Sequence, residues 1–98
     1  MYDLIDSNVP ASGTFLVGTV KCTYEDLVET LGEPHIQNGD KTTAEWSLLF
    51  EDDDGFNYTA TIYDWKTDST PMGEYDWHIG GYGQEAVWAV HDLMGVSG

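Results

Sequence analysis

The fold is decided by one stretch of the chain, Ala44-Glu45-Trp46-Ser47-Leu48-Leu49-Phe50-Glu51. In a strand, its apolar side chains Trp46, Leu48 and Phe50 would share one face, with Glu45, Ser47 and Glu51 on the other. The run Asp52-Asp53-Asp54-Gly55 follows, and Asp-Gly is a strong hairpin-turn signal. The sequence therefore predicts a strand over 44–51 that turns back into an antiparallel partner over 56–66.

Four further elements are predicted on either side of this hairpin. β-branched and aromatic residues over 14–22 favour a strand, and residues 74–79 alternate like one. A helix over 24–31 is indicated by Thr23 as N-cap, by Asp26 in the capping-box position and by Gly32 as the terminating residue. A second helix is predicted over 84–94, after a turn at Gly80-Gly81-Tyr82-Gly83.

The order β-α-β-β-β-α predicts an α+β fold with an antiparallel sheet of about four strands and both helices on one face. We expect a single domain over 1–98, with an N-terminal arm over 1–13, a folded core over 14–94 and a loose tail over 95–98. The arm includes a short strand or turn at Tyr2–Ile5. The predicted core contains Trp46, Trp77, Leu27, Leu31, Val87 and Val90.

The charge balance excludes several classes of partner. Eighteen acidic residues stand against three basic ones among 98, a net charge of −15, yet four Trp, six Tyr and three Phe favour a folded chain. Direct nucleic-acid binding and adhesion to anionic membranes both need Lys and Arg, so neither is expected. No apolar run is long enough to span a bilayer.

No catalytic or metal-binding motif is recognisable, so we expect a non-enzymatic protein without a cofactor or metal. Cys22 is the single cysteine, which excludes an intramolecular disulfide, and we expect it to be a small buried hydrophobe. The three histidines are far apart in sequence, and the Asp52–Asp54 run lacks the spacing of an EF-hand loop. The N-terminus lacks the basic and apolar regions of a signal peptide, which favours a cytoplasmic location.

The acidic residues form two candidate surfaces. The partner-binding surface is the polar face of the sheet, where exposed aromatics would anchor a partner; it comprises Glu45, Glu51, Glu74, Asp76, Tyr63 and Trp65. A secondary acidic patch combines the outer stripe of the first helix with the hairpin turn, namely Glu25, Asp26, Glu29, Asp52, Asp53 and Asp54. An equal alternative is that the N-terminal arm covers Tyr63 and Trp65 through Tyr2, Leu4 and Ile5.

Five segments resemble those of a group of small tailed-bacteriophage proteins of unassigned function, and the resemblance covers most of residues 18–94. They are Gly18–Tyr24, Leu31–Pro34, Thr43–Trp46, Ala60–Lys66 and Trp77–Gly81. The resemblance implies a phage origin and expression in the cytoplasm of a bacterial host, without implying an activity. Since small acidic phage proteins are often inhibitors and several mimic DNA, it favours an anti-defence or host-directed inhibitor.

The charge and the resemblance together predict a protein that docks an acidic surface on a basic host or defence protein, one that itself binds nucleic acid. Carboxylates on alternate residues of a strand lie about 6.5–7 Å apart, a spacing compatible with that of phosphates. The alternatives are an accessory phage protein whose acidity serves only solubility, and a small-molecule binder that uses the open-face aromatics and the glycine loop before the last helix.

Overall fold

One antiparallel sheet and two helices make up the chain in the computed structural model, which describes residues 2–7, 9, 13–34, 36–37, 44–65 and 71–95. The elements in chain order are β1 (Asp3–Asp6), β2 (Phe15–Cys22), α1 (Tyr24–Leu31), β3 (Ile36–Gln37), β4 (Ala44–Glu51), β5 (Asn57–Tyr63), β6 (Tyr75–Gly81) and α2 (Gln84–Met94). The predicted α+β class, the antiparallel sheet and the two helices are confirmed.

The sheet has the strand order β1-β4-β5-β6-β2, and β3 pairs with β4 off this path. The central hairpin has Trp46 opposite Ile62 and Phe50 opposite Tyr58, closed by the Asp52–Gly55 turn with Gly55 at φ 88°. β1 and β3 pair with opposite ends of β4, and β2 pairs with β6. The hairpin predicted from Asp-Gly is therefore the middle of the sheet.

Helix α1 begins and ends where its capping residues predict. The Thr23 hydroxyl accepts the Asp26 backbone N–H at 3.0 Å, and the Asp26 carboxylate accepts the Thr23 N–H at 3.2 Å. This reciprocal pair satisfies two N–H groups at the start of the helix. At the other end, the Gly32 N–H donates to the Val28 carbonyl at 2.8 Å, and Gly32 has a positive φ of 85°.

Both helices pack on the face of the sheet that carries the alternating apolar residues. The Tyr24 ring of α1 lies 5.8 Å from the Trp46 ring, which meets Trp77 edge-to-face at 5.7 Å. Over α2, a Cβ on Gly18 would come 2.7 Å from Val87, so only glycine allows this close approach. All six predicted core residues lie in one buried cluster, as expected.

The sheet has more strands than the four predicted, and β6 extends further along the chain. β1 corresponds to the short strand or turn expected at Tyr2–Ile5, which is not one of those four, and β3 is an addition of two residues, too short to show a sequence period. Gly80 and Gly81, predicted as part of a turn, are the last residues of β6 and pair with Leu16 and Phe15. The predicted turn is therefore shortened to Tyr82 and Gly83. The return strand is also shorter than predicted, ending at Tyr63.

Strand β2 contains a bulge. Leu16 lies opposite Gly80 and Gly18 lies opposite Ile79, so Val17 is an extra residue. The bulge turns Leu16 to the face opposite the helices, whereas Gly18, Val20 and Cys22 face the core. Cys22 is 6 % exposed, which confirms that it is a buried residue.

Several predicted loop features lie outside the described residues. They include the Asn38-Gly39-Asp40 loop, His35, most of the 67–73 loop, the Pro10–Ser12 linker and residues 96–98 of the tail.

The start of β4 is fixed by a buried acid. The Asp64 carboxylate is fully buried and accepts the Ala44 backbone N–H at 3.1 Å, which holds the start of β4 against the end of β5.

Candidate partner-binding face

The sheet face opposite the two helices, here called the open face, carries the residues that alternate with the core. Since directly paired residues in neighbouring strands share a face, the row Glu45, Tyr63, His78 and Thr19 runs across four strands. The next row is Ser47, Thr61, Gly80 and Leu16. Ala60 and Ile62 are buried in the core, and Tyr63, which is predicted on the polar face of the sheet, lies on the open face.

In the middle of the open face, small side chains pack tightly together. Ser47 is 8 % exposed and Thr61 is 3 % exposed, although neither faces the helices. A Cβ on Gly80 would meet the hydroxyl of Thr61, and the Thr14 hydroxyl and the Tyr63 ring lie 3.3 and 3.4 Å from the same point. A ligand therefore has no room at Gly80, and the accessible concavity lies beside it.

A groove of about 320 Å³ opens on this face, lined by Leu16, Tyr63, Trp65 and His78. We call it the aromatic groove. The ring of Tyr63 lies 5.4 Å from the ring of His78 and 6.2 Å from that of Trp65, in both cases edge-to-face. Trp65 is 41 % exposed. The groove is therefore an apolar depression with an accessible tryptophan on one side.

Three strands and the segment after β5 position these side chains. Tyr63 is the last residue of β5 and is held between Glu45 and His78 by the strand register. Trp65 follows two residues later, and its backbone N–H donates to the Tyr75 hydroxyl at 3.3 Å. Leu16 reaches the groove because the bulge at Val17 reverses its direction.

The electrostatics of the groove are set by an acid at its edge. Burial raises the pKa of the Tyr63 hydroxyl, and the neighbouring Glu45 carboxylate raises it further. The phenol is therefore neutral at physiological pH. Asp76 also lies on the open face, two residues before His78 on β6, and Glu74 is exposed just before the strand. The groove thus has an apolar floor with the Glu45 carboxylate at its edge, while Asp76 further along β6 lies opposite Lys21 of β2.

Not all of the predicted partner-binding residues come together. Glu45, Tyr63, Trp65, Glu74 and Asp76 belong to the groove end of the sheet. Glu51 lies six residues from Glu45 along β4, about 20 Å away at 3.3 Å per residue. There it is opposite Asp3 and Asn57. Ser47 and Leu49 stand between the two glutamates, so β4 carries no run of carboxylates at the alternate-residue spacing considered for phosphate mimicry.

The secondary acidic patch is divided as well. The indole N–H of Trp46 donates to Gly32 at the end of α1 at 2.8 Å, so α1 lies near the start of β4, whereas Asp52 follows its end. Asp26 serves in the capping box. Asp52 accepts hydrogen bonds from Asp54, Phe56 and Tyr58, which makes it part of the turn. All members except the half-buried Asp52 are exposed.

The N-terminal strand does not cover the aromatic groove through Tyr2, Leu4 and Ile5, so that alternative is wrong. Leu4 pairs with Phe50 at the far end of β4, and Tyr2 packs edge-to-face on Tyr58 with 5.7 Å between ring centroids. Both belong to the core side of the sheet. Ile5 lies in the same edge strand, two strands away from the groove.

Two groove residues were not identified from the sequence as part of a binding site. His78 alternates with Glu74 and Asp76 in the sequence, which places it on the polar face, but it belongs to no recognisable motif. Leu16 gave no such signal, because the bulge that redirects it depends on pairing with a strand some sixty residues later.

The described residues contain no group of three or more His, Cys, Asp or Glu side chains placed to hold a metal ion. Burial raises the pKa of the Cys22 thiol to about 11, with a further contribution from Asp26. The thiol is therefore protonated at physiological pH and is a poor nucleophile. In the same part of the chain, neither helix is long and apolar enough to cross a membrane.

A second concavity of about 330 Å³ lies at the start of α2, where Asn57, Tyr58, Tyr82, Gly83 and Glu85 are among its lining residues.

Comparison of the chain with protein-family models, curated proteins and solved structures finds no match.

Proposed function

We propose that this chain is a non-enzymatic inhibitory protein that docks the open face of its sheet on a basic, nucleic-acid-binding protein of a bacterial host or its defence system. The observation that carries the proposal is the aromatic groove with its acidic border, on a molecule of net charge −15. The assignment to a phage and to the host cytoplasm rests on the sequence resemblance alone.

The charge supports a basic partner. A net charge of −15 on 98 residues repels DNA, RNA and anionic lipids and attracts cationic surfaces over a distance set by the ionic strength. Such steering accelerates association without requiring specific contacts. Glu45 and Glu51 place carboxylates at the two ends of β4, about 20 Å apart.

The aromatic groove supports stable docking. Exposed charges contribute little to the lifetime of a complex, whereas tryptophan and tyrosine that become desolvated dominate many interfaces. Trp65 and Tyr63 lie next to the acids on the same face. The open face therefore combines groups for attraction with groups for retention.

The test is capture of basic proteins from a bacterial lysate on the immobilised protein at low salt, followed by elution with duplex DNA. Release of a nucleic-acid-binding protein by DNA is expected if the open face and DNA occupy the same site. Its binding kinetics are then compared for a Glu45→Lys/Glu74→Lys variant and a Glu25→Lys/Glu29→Lys variant with the same change in charge. The first should associate more slowly than the second, and Trp65→Ala should dissociate faster.

Equal association rates for the two charge-reversal variants at low salt would place the site elsewhere. Binding that neither added salt nor DNA weakens would contradict the proposal and leave the acidity as a solubility feature. The concavity beside Tyr82 and Glu85 supports the second candidate, a small-molecule binder. Its carboxylate border disfavours anionic ligands such as nucleotides, so a neutral or cationic metabolite would be the ligand class.

A further inference from the structure

We infer that the aromatic groove receives one cationic side chain of the partner, with arginine preferred over lysine. The inference rests on the proposed function, because it names the chemistry by which the open face would recognise a basic protein. Its elements are the size of the groove, the arrangement of its rings and the position of the neighbouring carboxylates.

The size of the groove suits a single side chain. Its volume of about 320 Å³ is at the lower end of the range for small-molecule sites. The closed surface over Thr61 and Gly80 limits it on one side. A helix or a whole strand of a partner would need a longer depression than four residues provide.

The rings suit a cation. Tyr63 meets Trp65 at an interplanar angle of 73° and His78 at 64°, so the Tyr63 ring stands at a steep angle to each of its two neighbours. Tryptophan and tyrosine faces attract a cation placed within about 6 Å of the ring centre. Trp65 remains 41 % exposed, so its ring is accessible from the groove.

The carboxylates select the sign of the charge. Glu45 is directly opposite Tyr63 and is the carboxylate next to the groove. Asp76 lies on the same face one side-chain row beyond His78, opposite Lys21 of β2. An anion would be repelled there, and an aliphatic side chain would gain nothing from the acids. A guanidinium group would stack on a ring and also bond to a carboxylate, and it is more weakly hydrated than an ammonium group.

The test uses three short peptides that differ at one position and are blocked at both ends: acetyl-Gly-Arg-Gly-amide, its lysine counterpart and its citrulline counterpart. Citrulline keeps the planar shape of arginine without the charge. Binding is followed by NMR through the indole N–H resonances of the four tryptophans and the methyl resonances of Leu16. The arginine peptide should shift the resonances of Trp65 and Leu16 and leave those of buried Trp46 and Trp77 in place.

Variants separate the groove from general attraction to a negative protein. Trp65→Leu and Glu45→Gln should each weaken arginine-peptide binding by about fivefold, the size of an exposed cation–π contact or ion pair. Trp88→Leu removes another exposed tryptophan, and Glu29→Gln removes another exposed acid. Neither control should weaken binding by more than about twofold. Unchanged core indole resonances would show that a variant is folded.

Equal binding of the citrulline peptide would overturn the inference, and so would shifts that spread over the surface or follow Glu29→Gln as strongly as Glu45→Gln. These results can be told apart from failure of the proposed function. If the groove does not bind the arginine peptide but the protein still captures a basic protein that DNA releases, only this inference is contradicted. A groove that binds arginine, on a protein without any salt-sensitive partner, contradicts only the proposed function.

Discussion

Trp77 and Trp65 lie in opposite environments, one in the core and the other at the surface. Trp77 is fully buried, its indole N–H donates to the Cys22 carbonyl at 3.2 Å, and its ring contacts Trp46 and Tyr75. Trp65 lies on the open face and is half exposed. Trp77 therefore contributes to the stability of the fold, whereas Trp65 has a ring surface that is accessible from solvent.

Replacing Trp77 with alanine should lower the free energy of unfolding by about 3–5 kcal/mol, because a large cavity would form and its packing contacts would be lost. Trp88→Ala, at an exposed position of α2, should cost less than about 1 kcal/mol. Urea unfolding followed by circular dichroism measures both. A loss below about 1 kcal/mol for Trp77→Ala would contradict the strand register described above.

The Asp52 carboxylate stabilises the hairpin turn by accepting hydrogen bonds from its backbone. Burial alone would raise its pKa, but hydrogen bonds from the Phe56 backbone, the Tyr58 hydroxyl and the backbone of Asp54 and Gly55 outweigh it and hold the pKa below its usual range. Its folded-state pKa is therefore lower than the unfolded-state value. The stabilisation is complete above the ordinary pKa of aspartate, about 3.9, and is lost as the pH falls through the folded-state value.

An Asp52→Asn variant should consequently unfold at a lower urea concentration than the wild type at pH 7, and the difference should diminish below about pH 4. Asp54→Asn is the matched control, since it removes the same charge from the same turn while Asp54 contributes only its backbone N–H to Asp52. A difference that stays constant from pH 7 to pH 3 would show that the carboxylate charge has no role in the turn.

At the scale of elements, the outer edge of β2 is protected by two side chains of α2. Gln84 donates from Nε2 to the Val17 carbonyl at 3.1 Å, and His91 Nε2 lies 2.8 Å from the Thr19 carbonyl, to which it donates. In the described sheet, β2 pairs only with β6, so its other edge would offer unpaired backbone groups to a second molecule. The helix satisfies part of that edge.

A Gln84→Ala/His91→Ala variant should self-associate more than the wild type, most clearly at high salt, where screening removes the mutual repulsion of the chains. Sedimentation velocity over a range of protein concentrations is the measurement. Trp88→Ala, on the same helix, is the control and should not increase association. An unchanged sedimentation coefficient for the double variant would mean that charge alone keeps the edges apart.

Local signals predicted the helices well, and non-local pairing explains the errors in the strands. Thr23, Asp26 and Gly32 define α1 through hydrogen bonds to residues at most four positions away. The strand assignment of Gly80 depends instead on Leu16 and Thr61, which are distant in sequence. The alternation in β5 predicts that Tyr63 lies on the open face. Only the strand register shows that its neighbours there are Glu45 and His78, and that Glu51 lies at the other end of β4.

The net charge of −15 should oppose folding, because folding brings like charges closer together. Added sodium chloride should therefore raise the free energy of unfolding at neutral pH by screening this repulsion. A Glu29→Lys/Glu74→Lys variant, with a net charge of −11, should show a weaker dependence on salt. Urea unfolding at low and moderate salt tests both, and a stability independent of salt would show that the carboxylates are already compensated.

The bulge at Val17 gives the two ends of β2 different freedom to change over evolution. Beyond the bulge, Val20 and Cys22 are committed to the core, where most substitutions are costly. Before it, Leu16 is exposed and forms one wall of the aromatic groove. A descendant of this chain could replace Leu16 with a larger, smaller or polar residue and alter the groove while the interior stays intact. A single surface position is therefore enough to change the shape of the groove.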